Sequence, residues 1–128
     1  MVQNIVALVD LDDESSWRTA LPTAIDHARQ TSARLHVLTI VPDGMYKMTV
    51  VAQLIPKDFE RRLLDDAKRR LATLIKEHAI DGLPVELVVR FGSVYREALR
   101  FARDVEAKLI IMGAHKPEFT DYLLVVTT

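Results

Sequence analysis

Cysteine is absent from the 128 residues, which removes disulfide staples, thiolate metal ligands and a cysteine nucleophile together. A reducing compartment follows, and the expected location is cytoplasmic. Glycine is scarce, with four residues at positions 44, 82, 92 and 113. That leaves no G-x-x-x-x-G-K-[ST] and no G-x-G-x-x-G after the first strand, so neither a P-loop nor a dinucleotide fingerprint is available. An excess of charge of one sign is also missing: 17 basic side chains stand against 18 acidic ones, a net charge of −1. No global field therefore draws the chain to nucleic acid or to an anionic membrane. No apolar run approaches the roughly 20 residues that a membrane span needs. The opening "MVQNIVALVD" has the character of a strand, without the basic region and small-residue cleavage site of a signal peptide.

What is present is a regular alternation within 128 residues, the length of one domain with a proper core. Asn4 to Asp10, "NIVALVD", is a short apolar run ending in an acid, the mark of a strand buried on both faces. From Ser15 or Ser16 onward, Trp17, Ala20, Leu21, Ala24, Ile25 and Ala28 recur at helical spacing. Pro22 inside that stretch predicts a kink, because an interior proline removes a donor and clashes one turn back. "RLHVLTIV" is a second strand, ended by Pro42-Asp43-Gly44, and Met45 to Ile55 is a loop without clean period. Phe59, Leu63, Leu64, Ala67, Leu71, Leu74, Ile75 and Ala79 form one stripe of a long amphipathic helix, opened by Pro56 and closed near Asp81-Gly82. "PVELVVRFG", "VYREALRFARDVEA" and "KLIIMG" add a strand, a helix and a strand.

Alternating buried strands and amphipathic helices predict an α/β fold: an open, mostly parallel twisted sheet with helices on both faces. In such sheets ligands sit beyond the carboxyl ends of the strands, where the chain order reverses. Four segments qualify: Asp10 to Glu14, Ile40 to Asp43, Phe91 to Val94 and Gly113 to Pro117.

The acidic "VDLDDE" raises the possibility of Mg²⁺ and phosphoryl transfer. That chemistry needs an aspartate acceptor at the end of the third strand, where Arg90-Phe91-Gly92 stands instead. Asp12, Asp13 and Glu14 are read as complementing a helix N-terminus. For Asp10 two roles stay open, contact with a ligand and capping of its own turn. Histidines 27, 36, 78 and 115 form no H-E-x-x-H and no short metal spacing, so no metal site is expected. His27 and His78 are surface or boundary positions on helices, and His36 alternates with core positions and faces a helix or solvent. No Ser-His-Asp order sits on a nucleophile elbow, so no catalytic residue is nominated.

Taken together, Val9-Asp10, Ile40-Val41-Pro42 and the run "FGSVYREALRFARDVEAKLIIMGAH" resemble the universal stress protein family, over residues 2 to about 124. "GAHKPEFTDYLL" looks like its small bacterial single-domain branch. The resemblance implies a Rossmann-like fold of the adenine nucleotide alpha hydrolase type, a stress-response role, and binding of ATP, with or without Mg²⁺, rather than catalysis beyond slow hydrolysis. Carried over by position, Asp10 falls near adenine and ribose and Ile40 flanks adenine. Met112, Gly113 and His115 form the first half of the phosphate loop, and Gly92 lies around the ligand. Lys116 stands where a second glycine is expected and either supplies charge to a phosphate or points to water. The family continues past Leu124 with a glycine-hydroxyl pair, a helix and a final strand. Here Val125-Val126-Thr127-Thr128 comes at once, so the ending is either an altered form or the remnant of that last strand. Taken literally, it implies a half-built triphosphate cradle, a sheet without its fifth strand, and "YLLVVTT" as an edge that pairs two copies into a homodimer. The competing expectation is a nucleotide-free dimeric interaction module of the same fold.

Overall fold

The computed structural model describes residues 2–44, 53–78, 82–114 and 122–127. Its strands are β1 (Asn4–Leu8), β2 (Arg34–Pro42), β3 (Val85–Gly92), β4 (Leu109–Ala114) and β5 (Tyr122–Thr127); its longer helices are α1 (Ala20–Thr31), α2 (Phe59–Glu77) and α3 (Val94–Asp104). The strands form one sheet in the order β3-β2-β1-β4-β5. β1 runs parallel to β2 and to β4, and β2 runs parallel to β3. This is the open, mostly parallel α/β sheet that the alternation of elements predicts. Among the described residues no helix is long and apolar enough to cross a membrane.

The apolar runs are continuous because each central strand is covered twice. Ile5, Ala7 and Val9 pack with Leu35 and Val37 against α1 and against Leu71 and Leu74 of α2. Val6 and Leu8, one residue out of phase, pack with Leu38 and Ile40 against Ala98, Phe101 and Ala102 of α3. The helices meet the sheet largely through alanine: Ala20, Ala24 and Ala28 of α1 are all buried, which lets the helix backbone approach closely. Of the α2 stripe, Ala67, Leu71 and Leu74 are buried, and Ala79 lies outside the described residues.

Two expectations change. α1 begins at Ala20 rather than near Ser15, with Thr19 as its N-cap. Pro22 therefore falls in the first turn, where backbone N–H groups lack intrahelical acceptors anyway, and no kink is required. The second change concerns the fifth strand: Tyr122–Thr127 occupies the sheet edge as an antiparallel partner of β4, pairing Met112 with Leu124 and Ala114 with Tyr122. The seven residues between Ala114 and Tyr122 are fewer than the dozen or more that a parallel crossover needs, so the pairing is antiparallel.

On the α3 face, β2 brings a polar group into the core. His36 is 3% exposed, edge-on to the Phe101 ring at 5.5 Å. Its Nε2 lies 3.0 Å from Asn4 Oδ1, and Asn4 Nδ2 donates to the Val105 carbonyl at 2.9 Å. Since the Asn4 oxygen is thereby turned to the ring, Nε2 carries the proton and donates, leaving Nδ1 with a lone pair. Nδ1 sits 3.3 Å from Glu86 Oε2 without an aligned hydrogen bond. Burial holds the imidazole below its ordinary range, against the opposing pull of the Glu86 carboxylate; Arg34 adds to the lowering.

The unfolded chain thus takes up a proton near pH 6.5 that the folded chain binds only at lower pH. Stability from His36 is complete above that pH and is lost as pH falls through it toward the lowered folded value. Urea denaturation at pH 7.5 and 5.5 is expected to show the loss in the native chain. His36→Gln, which keeps a donor for Asn4, is expected to flatten the dependence over that window.

Candidate functional site

The order of the sheet creates one topological switch. From β1 the chain moves through β2 to β3 on one side, then returns to β4 on the other side of β1. The register pairs Leu8 with both Leu38 and Met112, so β1, β2 and β4 deliver their carboxyl ends to one edge. Beyond Leu8 the arrangement is held by Val9 N–H donating to the Leu38 carbonyl at 2.9 Å, and by the buried Thr39 hydroxyl donating to the Val9 carbonyl at 2.9 Å.

At this edge lies a cleft of about 200 Å³, lined by Leu8, Val9 and Ile40, by Asp10, Asp13 and Ser16 of the loop after β1, by Pro42, by Val94 and Tyr95 of α3, and by Met112 and Gly113. Four of the sequence-nominated residues, Asp10, Ile40, Met112 and Gly113, are thus brought together. Gly92 is not among the lining residues. It stands at the junction of β3 and α3 with φ +150°, where a Cβ would lie 2.9 Å from Glu97 Cγ; glycine there serves the backbone path and the packing of Glu97. His115 and Lys116 lie outside the described residues.

The loop after β1 is a built structure rather than a flexible strap. Ser16 Oγ donates to the Asp10 carbonyl at 3.0 Å and accepts from Asp10 N–H at 2.8 Å, closing a ring across six residues. Asp10 Oδ1 accepts from Asp12 N–H at 3.0 Å, so Asp10 does cap its own turn. Oδ2 has no protein partner among the described residues. Asp13 is the N-cap of a 3₁₀ turn, Glu14–Ser16, its Oδ1 accepting from the Ser15 amide and hydroxyl.

Asp12 makes a contact that sequence reading did not anticipate. It pairs at 2.7 Å with Arg70 of α2, whose guanidinium also donates to the Leu11 carbonyl at 3.1 Å. The two partners stand 58 residues apart in the chain, and no local pattern carries that information. Glu14 pairs with Arg18 one turn on.

Gly113 has a second reason to be glycine besides any ligand. A Cβ there would lie 2.6 Å from the Ser16 carbonyl oxygen and 2.7 Å from that of Ser15. β4 and the 3₁₀ turn therefore touch backbone to backbone, and the absent side chain is what permits it.

The profile of the Universal stress protein family matches residues 1–128. The chain belongs to that family. Universal stress protein G of Shigella flexneri is 28% identical over 104 residues, covering 79% of this chain and 73% of that one; the Salmonella typhimurium protein of the same name matches equally. Among solved structures, the fold is similar to that of hypothetical protein MJ0577 (TM-score 0.66, 20% identity, 94% of this chain and 83% of that one). It is also similar to universal stress protein UspA from Lactobacillus plantarum (TM-score 0.58, 19% identity, 84% and 74%). A universal stress protein in complex with cAMP gives a TM-score of 0.52 at 21% identity, with 85% and 70% covered. At these identities the structural likenesses speak for the fold.

Gly113→Ala is expected to destabilise the free protein by about 1–3 kcal/mol, the usual cost of forcing an extra carbon into a packed contact. Denaturant titration checks it: the midpoint should fall while the slope stays unchanged.

Proposed function

We propose that the cleft binds an adenine nucleotide, ATP with or without Mg²⁺, and that the protein serves a stress response as a nucleotide-responsive binding domain rather than as an enzyme. The observation that carries this reading is the convergence of Asp10, Ile40, Met112 and Gly113, from the ends of three parallel strands, on one cleft at the switch point. The cAMP complex of a protein with this fold supports a nucleotide as the ligand class. In the proposed complex Ile40 and Met112 face the base, and the Oδ2 of Asp10, without a partner among the described residues, accepts from the ribose hydroxyls. Gly113 lies at the phosphate side, continued in the chain by His115 and Lys116; Gly92 shapes the β3–α3 junction behind the site.

One observation favours the second reading, a nucleotide-free module that acts by forming a homodimer or by binding a partner. The close contact of Gly113 with Ser15 and Ser16 explains that glycine without a phosphate. The two readings separate in a thermal melt with Mg²⁺ and ATP. At a hundredfold excess over Kd, binding adds about 2.7 kcal/mol of stability, roughly 10 °C for a chain of this size. An unchanged melting temperature at millimolar ATP decides for the module.

Asp10→Asn separates the two roles of that residue, since it keeps the Oδ1 acceptor for Asp12 N–H and removes the charge. Titration calorimetry is expected to show ATP affinity lowered about ten-fold, in line with a lost hydrogen bond to a charged group. The melting temperature of the free variant should match that of the native chain.

A further inference from the structure

The rim of the cleft carries an aromatic ring that the fold does not use. Tyr95, the second residue of α3, lines the cleft and is 71% exposed. It stands three and seven positions before the buried Ala98 and Ala102, so it continues their stripe one turn past the covered sheet. Helical side chains lean toward the helix N-terminus, which here carries the ring beyond the strand ends rather than back onto them. Beneath the rim the floor is apolar: Ile40, 8% exposed, with Leu8, Val94 and Met112. Apart from the Tyr95 hydroxyl, the polar side chains of the lining, Asp10, Asp13 and Ser16, all come from the loop after β1. An exposed flat ring above an aliphatic floor, with hydroxyl acceptors gathered on a separate loop, has the composition of a slot for a planar heterocycle joined to a sugar.

We propose that Tyr95 is a specificity-determining residue of this site, its ring stacking on the base of the bound ligand; this rests on the nucleotide reading of the cleft. Stacking is indifferent to the phenolic hydroxyl and acts on the base alone. Phenylalanine should therefore replace tyrosine, and a ligand that lacks a base should not sense the substitution.

Titration calorimetry of the full chain with ATP, adenosine and ribose 5-phosphate tests this on Tyr95→Phe, Tyr95→Leu and Tyr95→Ala. Y95F is expected to bind ATP and adenosine within about twofold of the native chain. Y95A should lose about ten-fold, within the range of base–aromatic stacking, with Y95L between. Ribose 5-phosphate should bind all four proteins alike. Because the side chain is exposed, the ligand-free melting temperatures should agree, which separates loss of contact from loss of fold. Native-like affinity of Y95A for ATP overturns the role of Tyr95 alone. Equal losses in Y95F and Y95A overturn stacking in favour of a hydroxyl contact. Failure of the native chain to bind either adenine ligand overturns the nucleotide reading, and this inference with it.

Discussion

The parallel pairing of β1 between β2 and β4 is the constraint on which the remaining structure depends. A strand flanked on both sides by parallel neighbours needs crossovers, and the crossovers put helices on both faces. Those helices bury Ile5, Ala7 and Val9 on one side and Val6 and Leu8 on the other, which is why β1 is an unbroken apolar run. With β2 and β3 on one side of β1 and β4 on the other, the order in which strands are added reverses at β1. A cleft there is a consequence of topology before any side chain is chosen. Its depth is kept by the Thr39 hydroxyl on the Val9 carbonyl, a hydrogen bond between strands made where the regular ladder gives out.

Side chains then convert the cleft into a site, and the loop after β1 does most of this. A loop between a strand and a helix is ordinarily mobile. This one is closed on itself by Ser16 and Asp10, capped by Asp13, pinned to α2 through Arg70 and seated on β4 through the bare backbone of Gly113. Each surface ion pair is worth little alone. Arg70 matters for its geometry, since one guanidinium grips a backbone carbonyl and a carboxylate of the same loop and fixes its approach to the sheet. Asp10 is thereby held in the cleft wall with one carboxylate oxygen committed to its own turn.

The elements were legible where burial imposes a period. Strands covered on both faces, and helices with one apolar stripe, write their contacts into the sequence at fixed spacing, so the sheet, its helices and the strand ends that form the cleft emerged directly. Pro22 misled because a proline reports where a helix can start as well as where it bends, and the start depended on the turn at Glu14–Ser16. Arg70 was illegible because its partners, Leu11 and Asp12, lie far away in the chain. Gly113 was read for a ligand; its contact with Ser15 and Ser16 is a matter of tertiary approach that the sequence did not carry. Tyr95 passed as an ordinary helix residue; only its exposure beside an apolar floor sets it apart. The antiparallel fifth strand answers the literal reading of the ending, which left the sheet without one; the pairing of Tyr122–Thr127 with β4 is a tertiary contact that the family pattern did not carry.

The distribution of charge around the cleft sets the direction in which the proposed nucleotide would lie. Asp10 and Asp13 both line it, and both belong to the loop after β1. Carboxylates accept from ribose hydroxyls and repel phosphates, so in the proposed complex the sugar meets Asp10 and Asp13 through its hydroxyl edge and the phosphates turn away from those two carboxylates. The base is then left to the aliphatic floor and the Tyr95 side, which carries no charged lining residue among the described ones. Turning the ligand around would set its phosphates against two carboxylates and its apolar base against their acceptors, losing on both counts. Recognition in this arrangement is divided: the base is held by area, the sugar by acceptors, and the phosphates on the Gly113 side. A ligand without phosphates still satisfies the first two, which makes adenosine the smallest ligand that the proposed geometry should recognise.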